Sequence, residues 1–137
     1  MALALGAVSL CAQQAGPSAS VRTVPATVIS GGIEVDGVLD EQVWRDSPKI
    51  SELVQRIPNS GAQASERTEV TILYDKANLY IGVLCYDSEP HKVLAAQMTR
   101  DSTMATDDRV ELLLDTFHDR TNAFYFATNP NGAFLDG

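Results

Sequence analysis

The chain has 137 residues, of which 45% are hydrophobic and 20% are charged, so it is large enough to bury one hydrophobic core. Ten basic and eighteen acidic residues give a formal net charge of −8. Nucleic acids and anionic lipid surfaces bind to basic surfaces, so this charge argues against both partners and leaves neutral ligands, cations and basic proteins open.

Residues 2–12 are apolar and uncharged, unlike the rest of the chain. An apolar segment of this kind, followed by small polar residues, is typical of a secretory signal peptide and is too short to span a membrane as a helix. We therefore predict a signal peptide over residues 1–15, a linker over residues 16–26 and an ordered domain over residues 27–137. Cys11 would leave with the signal peptide, and Cys85, in an apolar segment, is predicted to be buried.

The ordered part is predicted to begin with a short strand over residues 26–29, followed by a second short strand or a turn over residues 33–37. A helix over residues 41–47 comes next, with Asp40 as its N-cap and a proline directly after its end. Trp44, the only tryptophan of the chain, lies in this helix, and we assign it to the core.

Two apolar segments in the middle of the chain predict a β-hairpin. Residues 68–74 form its first strand and residues 75–78 its turn. Residues 79–86 return as the most apolar strand of the chain, which we place at the centre of a sheet. A short strand over residues 93–98 and a polar loop over residues 99–106 are predicted to follow.

The strand predicted over residues 108–117 is the most informative, because acidic groups lie within its apolar alternation. Val110 and the other even-numbered apolar residues would face one side of a sheet, and Glu111, Leu113 and Asp115 the other. The position of these carboxylates on a strand limits what they can do.

The rest of the chain completes an all-β pattern. A turn over residues 118–121 and a returning strand over residues 122–128 are predicted, and residues 132–137 look like a strand that begins without a partner. We therefore predict an antiparallel, jelly-roll-like β-sandwich with one short helix, truncated at its C-terminus.

Catalysis by the acidic strand would require paired carboxylates. A glycosidase holds its two carboxyl groups roughly 5–9.5 Å apart, whereas the Cα atoms of Glu111 and Asp115 would be about 13 Å apart on an extended strand. The chain contains no Gly-x-Ser-x-Gly motif, and His91 and His118 lie at predicted turns without a nucleophile nearby. We therefore assign no catalytic residue.

A cation site is the second interpretation. Zinc would need paired Cys or His ligands, which the chain lacks. Asp101, Asp107 and Asp108 offer carboxylate oxygens to calcium, but calcium takes about six to eight oxygen ligands and the EF-hand spacing is absent. We predict no cofactor, with calcium as the alternative.

Ligand binding is the third interpretation. Glu111 and Asp115, with Arg100 or Arg109 nearby, could form hydrogen bonds with the hydroxyl groups of a sugar. Alternatively, Glu111 could pair with a basic residue across the sheet on a solvated face. The residues by themselves do not choose between these two roles.

Several segments resemble a family-9-type carbohydrate-binding module, and they occur in the order found in that family. They are residues 33–44, 73–75, 79–83 and 107–115. Four further segments resemble a bacterial subgroup in which the module precedes a large domain similar to an outer-membrane β-barrel, often described as a membrane-associated hydrolase. They are residues 68–70, 85–88, 115–119 and 129–132.

This resemblance implies a β-sandwich that binds oligosaccharide or polysaccharide without cleaving it. It also implies an exported protein of a Gram-negative bacterium, in the periplasm or outer membrane and linked to carbohydrate catabolism, with a barrel domain following in the same chain. Two alternatives stay open. The chain could be an interaction domain that docks on that barrel, or the accessory domain of a hydrolase acting on O-glycosyl compounds.

The glutamate that contacts sugar in the family corresponds to Glu111. Further candidates at the same end of the sheet are Asp108, Asp115, Arg100 and Asn129. The family places one of its aromatic rings a few residues before the glutamate, and residues 102–106 contain no aromatic residue.

Overall fold

The computed structural model describes residues 23–137. The predicted signal peptide and most of the predicted linker lie outside this range. The described residues form two compact units, the first made of residues 23–51 and 69–84 and the second of residues 52–68 and 85–137. None of the helices in residues 23–137 is long and apolar enough to cross a membrane.

Strands dominate the regular structure of residues 23–137. In chain order the elements are β1 (Thr27–Val28), α1 (Gln42–Asp46), β2 (Thr68–Tyr74), β3 (Leu79–Cys85), a 3-10 helix (Pro90–Lys92), β4 (Val110–Leu114), β5 (Phe124–Thr128) and β6 (Phe134–Asp136). The prediction of an all-β fold with one short helix is confirmed.

The strands form two three-stranded sheets, with the orders β1-β2-β3 and β4-β5-β6. In the second sheet, β5 pairs antiparallel with both neighbours. In the first sheet, β1 pairs parallel with β2, with Thr27 opposite Leu73. The prediction of antiparallel pairing therefore holds for the second sheet. The first sheet differs, because its strands β1 and β2 are parallel.

Trp44 is the buried residue of helix α1, as predicted, with 5% of its surface exposed. Its ring packs against Gly82 of β3, and its indole N–H donates a hydrogen bond of 2.9 Å to Glu41 Oε2. The other carboxylate oxygen of Glu41 accepts the Glu34 N–H. Glu41 is the N-cap of the helix, because its backbone carbonyl oxygen accepts the Trp44 N–H at 3.1 Å, so the assignment of Asp40 was wrong by one residue.

The central strand of the first sheet is β2, with β3 at the edge. The prediction of a central β3 was therefore wrong, and Leu79 and Leu84 of this strand are exposed. Cys85, at its end, is also exposed and is not disulfide-bonded, which corrects the prediction of a buried cysteine. An apolar composition indicates burial on average but does not say which strand has neighbours on both sides.

Three other predicted segments have a clear outcome. Residues 33–37 form no strand, and the backbone bends at residues 36–37, where Asp36 Oδ1 accepts the Val38 N–H. Residues 93–98 form no strand, because side chains take up several of their backbone polar groups. The strand within residues 132–137 is β6, and it pairs with β5, so the prediction that it lacks a partner was wrong.

Candidate functional site

The pairing of β4 with β5 positions Glu111. Glu111 lies opposite Ala127, and Leu113 lies opposite Tyr125. Because directly opposed residues in a sheet point to the same face, these four side chains share one face. Leu135 of β6 lies opposite Ala127 and joins them. Along β4 the burial alternates with the predicted period, with Glu111 and Leu113 on the exposed side.

A small, open cleft of about 140 Å³ lies on this face. Its lining residues are Thr103, Met104, Ala105, Arg109, Glu111, Tyr125, Ala127 and Leu135. Met104 and Ala127 are buried and form its apolar base. Typical small-molecule pockets have volumes of about 300–1,000 Å³. The cleft would therefore contact a ligand from one side rather than enclose it.

Arg109 holds the Glu111 carboxylate in this cleft. Arg109 Nε donates a hydrogen bond to Glu111 Oε1, and Arg109 Nη1 donates one of 2.6 Å to the Met104 carbonyl oxygen. Tyr125, on the same face of the neighbouring strand, lines the cleft together with Glu111. The Glu111 carboxylate is therefore held by a partner from its own strand segment.

These contacts shift the titration of all three groups. The hydrogen bond from Arg109, followed by that from Tyr125, holds the pKa of Glu111 below its ordinary value. Burial, followed by the bond to Glu111, raises the pKa of Tyr125. The bond to Glu111 likewise raises the pKa of Arg109. At neutral pH the cleft therefore presents a carboxylate, a neutral phenol and a guanidinium.

This arrangement accepts hydrogen bonds. A carboxylate offers about four lone-pair positions, so Glu111 keeps acceptor capacity beyond its bond to Arg109. A general acid at neutral pH needs a raised pKa, and the shift of Glu111 has the opposite direction. Among the described residues lining the cleft, Glu111 is the one carboxylate, and its charge is balanced by Arg109.

Arg100 is not brought to this cleft. Its guanidinium lies 5.2 Å from the centre of the Phe134 ring and pairs with the Asp136 carboxylate. Phe134 and Asp136 alternate with Leu135 along β6, so they lie on the opposite face of the sheet from Glu111.

Asp108 and Asn129 belong to a polar network that holds the segment of residues 93–98. Asp108 Oδ2 accepts the Leu94 N–H at 2.8 Å. The side-chain amide of the buried Asn129 donates to the Gln97 carbonyl oxygen and to Asp107 Oδ2, both at 2.8 Å. The structure thus brings these two candidates into one region and gives both of them protein partners.

Asp115 supports the turn after β4. Its two carboxylate oxygens accept the backbone N–H groups of Asp119 and Arg120, at 3.2 and 2.9 Å. His118 and Arg120 have positive φ angles in this turn, a conformation that costs free energy for residues other than glycine. The Asp115 carboxylate stabilises that backbone.

The aspartates considered for calcium are in the same part of the second unit. Asp107 Oδ2 accepts the Gln97 N–H at 2.9 Å as well as the Asn129 amide, and the N–H of Asp101 is bonded to the Phe134 carbonyl oxygen. Within residues 23–137, no group of three or more His, Cys, Asp or Glu side chains is arranged to hold a metal ion.

Tyr125 is the cleft residue that the sequence analysis missed. A usable signal was present, because the turn predicted over residues 118–121 centres the hairpin near residue 119. Folding the chain about that point places Tyr125 next to Glu111 on the same face. The cleft therefore contains an aromatic residue, although residues 102–106 supply none.

The first unit has a wider concavity, of about 650 Å³, at the end of β1 and β2. Tyr74, Asp75 and Lys76 are among its lining residues. The Asp75 carboxylate accepts hydrogen bonds from the Ala77 and Asn78 N–H groups of its own turn. The carboxylate that lines this concavity is thus bonded to its own turn, and we place the candidate site at the Glu111 cleft.

Comparison of the chain with protein-family models, curated proteins and solved structures finds no match.

Proposed function

We propose that this chain is a non-catalytic carbohydrate-binding domain and that Glu111 is its principal contact to sugar hydroxyl groups. The observation that carries the proposal is the ionised Glu111 carboxylate, which Arg109 holds in an open cleft that Tyr125 also lines. The resemblance of residues 107–115 to the acidic strand of a family-9-type module supports the same residue.

The chemistry of the cleft suits a neutral, hydroxyl-rich ligand. Glu111 and Arg109 compensate each other's charge, so the lining does not favour a strongly charged ligand of either sign. Tyr125 and Leu135 add apolar surface for the C–H groups of a sugar ring. The remaining lone pairs of Glu111 would accept hydrogen bonds from hydroxyl groups.

The other candidate residues have a smaller part in this proposal. Arg100, Asp108, Asp115 and Asn129 each bond to a protein group, and none of them lines the cleft. We propose that they maintain the sheet and its loops, while Glu111 meets the ligand directly.

The motif resemblance also supports a proposal about context. In the bacterial subgroup, the module precedes a domain similar to an outer-membrane barrel. We propose that this chain belongs to an exported protein of a Gram-negative envelope, linked to carbohydrate catabolism, in which any hydrolase activity is carried by another domain.

Glycan-array binding of the full chain tests the proposed function. We expect the wild-type chain to bind neutral glycans. Glu111→Gln should weaken that binding by roughly 10- to 100-fold, since it replaces a charged acceptor by a neutral one. Glu89→Gln is the matched control, because Glu89 is exposed and pairs with Lys92 away from the cleft lining. A folded wild-type chain that binds no glycan would contradict the proposal.

A second candidate function is that of an interaction domain docking on the barrel. It is favoured by the exposure of large apolar side chains, namely Val35 (86%), Ile57 (81%), Met98 (79%) and Phe117 (72%). A contiguous exposed apolar patch marks a protein interface, and this function predicts that a partner covers these side chains. If this function is correct, Met98→Ser and Phe117→Ser should weaken capture of the chain by the purified barrel domain and leave glycan binding unchanged.

A further inference from the structure

One wall of the cleft is formed by residues 103–105. In the part of the chain that the structure describes, this wall makes two hydrogen bonds, and both end at the Met104 carbonyl oxygen. This oxygen accepts the Asp107 N–H at 3.1 Å and Arg109 Nη1 at 2.6 Å. The Met104 side chain is buried, whereas the residues on either side of it are exposed. Arg109 therefore supplies one of the two hydrogen bonds that fix the wall.

The same guanidinium joins this wall to the Glu111 carboxylate. Arg109 Nε donates to Glu111 Oε1, while Nη1 donates to the Met104 carbonyl oxygen. A guanidinium is planar, and its N–H groups point in fixed directions. A single rigid group that is bonded to both acceptors therefore sets the distance between the wall and the carboxylate.

The bond to the wall is not explained by charge compensation. The Met104 carbonyl oxygen carries no net charge, so a guanidinium that only balanced the charge of Glu111 would not need to reach it. Holding a long side chain in one rotamer costs conformational entropy, and two hydrogen bonds in different directions offset that cost. Arg109 thus connects two parts of the cleft in addition to pairing with a carboxylate.

We propose that Arg109 is the positioning residue of the cleft and that it fixes the wall of residues 103–105 against the Glu111 carboxylate. A ligand then meets the wall and the carboxylate at a spacing that is set before it binds. Such preorganisation raises affinity, because the ligand does not have to order these groups. For its effect on ligands, this inference rests on the proposed carbohydrate-binding function, in which Glu111 meets the hydroxyl groups and Arg109 acts through it.

The variants Arg109→Lys and Arg109→Met separate positioning from charge. Lysine keeps the positive charge and a long apolar stem, but its single nitrogen lacks the fixed fork of the guanidinium. Methionine removes both the charge and the donors. The matched control is Arg45→Lys, because the exposed Arg45 also donates through Nε and a terminal nitrogen, in this case to Gln42 in the first unit.

Two measurements on the full chain test the inference. The first is NMR titration with cellobiose, maltose and xylobiose, and the second is amide hydrogen exchange without ligand. The Asp107 N–H reports on the wall, since it is bonded to the Met104 carbonyl oxygen. The Asp101 N–H is bonded to the Phe134 carbonyl oxygen outside the wall, so it reports on the second unit in general.

We expect the wild-type chain to bind at least one of the disaccharides. Arg109→Lys should bind that disaccharide about 3- to 10-fold more weakly although the charge is kept. Arg109→Met should weaken binding at least as much, and Arg45→Lys should bind like the wild type. The Asp107 N–H should exchange faster in both Arg109 variants, while the Asp101 N–H keeps its wild-type rate.

The results that would overturn the inference differ in what they say about the proposed function. If the wild-type chain binds a disaccharide and Arg109→Lys binds it equally well, Arg109 does not position the wall and carbohydrate binding stands. The inference also fails if the Asp107 N–H keeps its wild-type rate in both Arg109 variants, or if the Asp101 and Asp107 N–H groups accelerate equally. If the folded wild-type chain binds neither these sugars nor any arrayed glycan, the proposed function fails together with the inference.

Discussion

Gly82 lies against the indole ring of Trp44, in a space that no side chain can share. A Cβ atom at position 82 would lie 2.7 Å from Trp44 Cζ3 and 3.2 Å from a methyl carbon of Leu39. Real Cβ atoms do not approach other heavy atoms as closely as the first of these distances. Glycine in the middle of a strand usually weakens it, and here its absent side chain makes room for the core tryptophan.

Gly82→Ala should destabilise the protein by about 1–3 kcal/mol, because the added methyl group overpacks the Trp44 site. The free energy of unfolding, measured by urea denaturation, tests this expectation. Gly31→Ala is the control, since a Cβ at position 31 meets no atom within 4 Å. Equal free energies of unfolding for the two variants would show that Trp44 does not restrict position 82.

Among the elements, the segment of residues 93–98 is held by side chains rather than by a strand partner. Asn129 and Asp107 take up the two backbone groups of Gln97, and Asp108 takes up the N–H of Leu94. Asn129 and Asp107 are buried, so their hydrogen bonds also satisfy polar groups that water does not reach. These side-chain hydrogen bonds fix the backbone of residues 93–98, as backbone hydrogen bonds to a neighbouring strand fix a β-strand.

Asn129→Ala should destabilise the protein by about 2–3 kcal/mol, because it leaves the Gln97 carbonyl and an Asp107 oxygen buried with fewer partners. Urea denaturation gives the loss of stability, and amide hydrogen exchange should show faster exchange at Gln97. The exposed Asn59 provides the comparison, since Asn59→Ala should change neither quantity. Unchanged exchange at Gln97 in Asn129→Ala would contradict the role assigned to the network.

For the whole molecule, the carboxylates with lowered pKa values determine how stability depends on pH. The pKa of Asp75 is lowered from 3.8 to about 2 by hydrogen bonds, first from the Ala77 N–H and then from the Asn78 side chain. The pKa values of Asp107, Glu111 and Asp119 are also lowered, in each case mainly by hydrogen bonds. These groups bind protons less readily in the folded chain than in the unfolded chain.

The free energy of unfolding should therefore fall with pH in the acid range. A carboxylate with a lowered pKa contributes its full stabilisation above the unfolded value, near pH 4, and loses it as the pH falls through the folded value. Asp75→Asn should be less stable than the wild type at pH 6, and the difference should narrow between pH 4 and pH 2. Urea denaturation between pH 2 and pH 6 measures the free energies of unfolding of both proteins. A difference between them that does not change with pH would contradict the lowered pKa of Asp75.

Local patterns in the sequence were sufficient to predict several parts of this protein. The apolar residues of 68–74 identify β2, and the period of two in residues 110–114 identifies β4 and the face on which Glu111 lies. The turn residues between 75 and 78 identify the first hairpin, and the apolar ring of Trp44 identifies its core position. These features depend on neighbours two to four positions away, and the sequence specifies such neighbours directly.

Contacts between residues far apart in the chain were decided only by the tertiary structure. The exposure of β3 and Cys85 depends on which strands are neighbours in the first sheet, and β6 has a partner because β5 presents a free edge. Tyr125 meets Glu111 through the register of β4 and β5, fourteen positions apart in the sequence. Polarity patterns describe the faces of an element but not its partner, because pairing depends on backbone geometry and long-range packing.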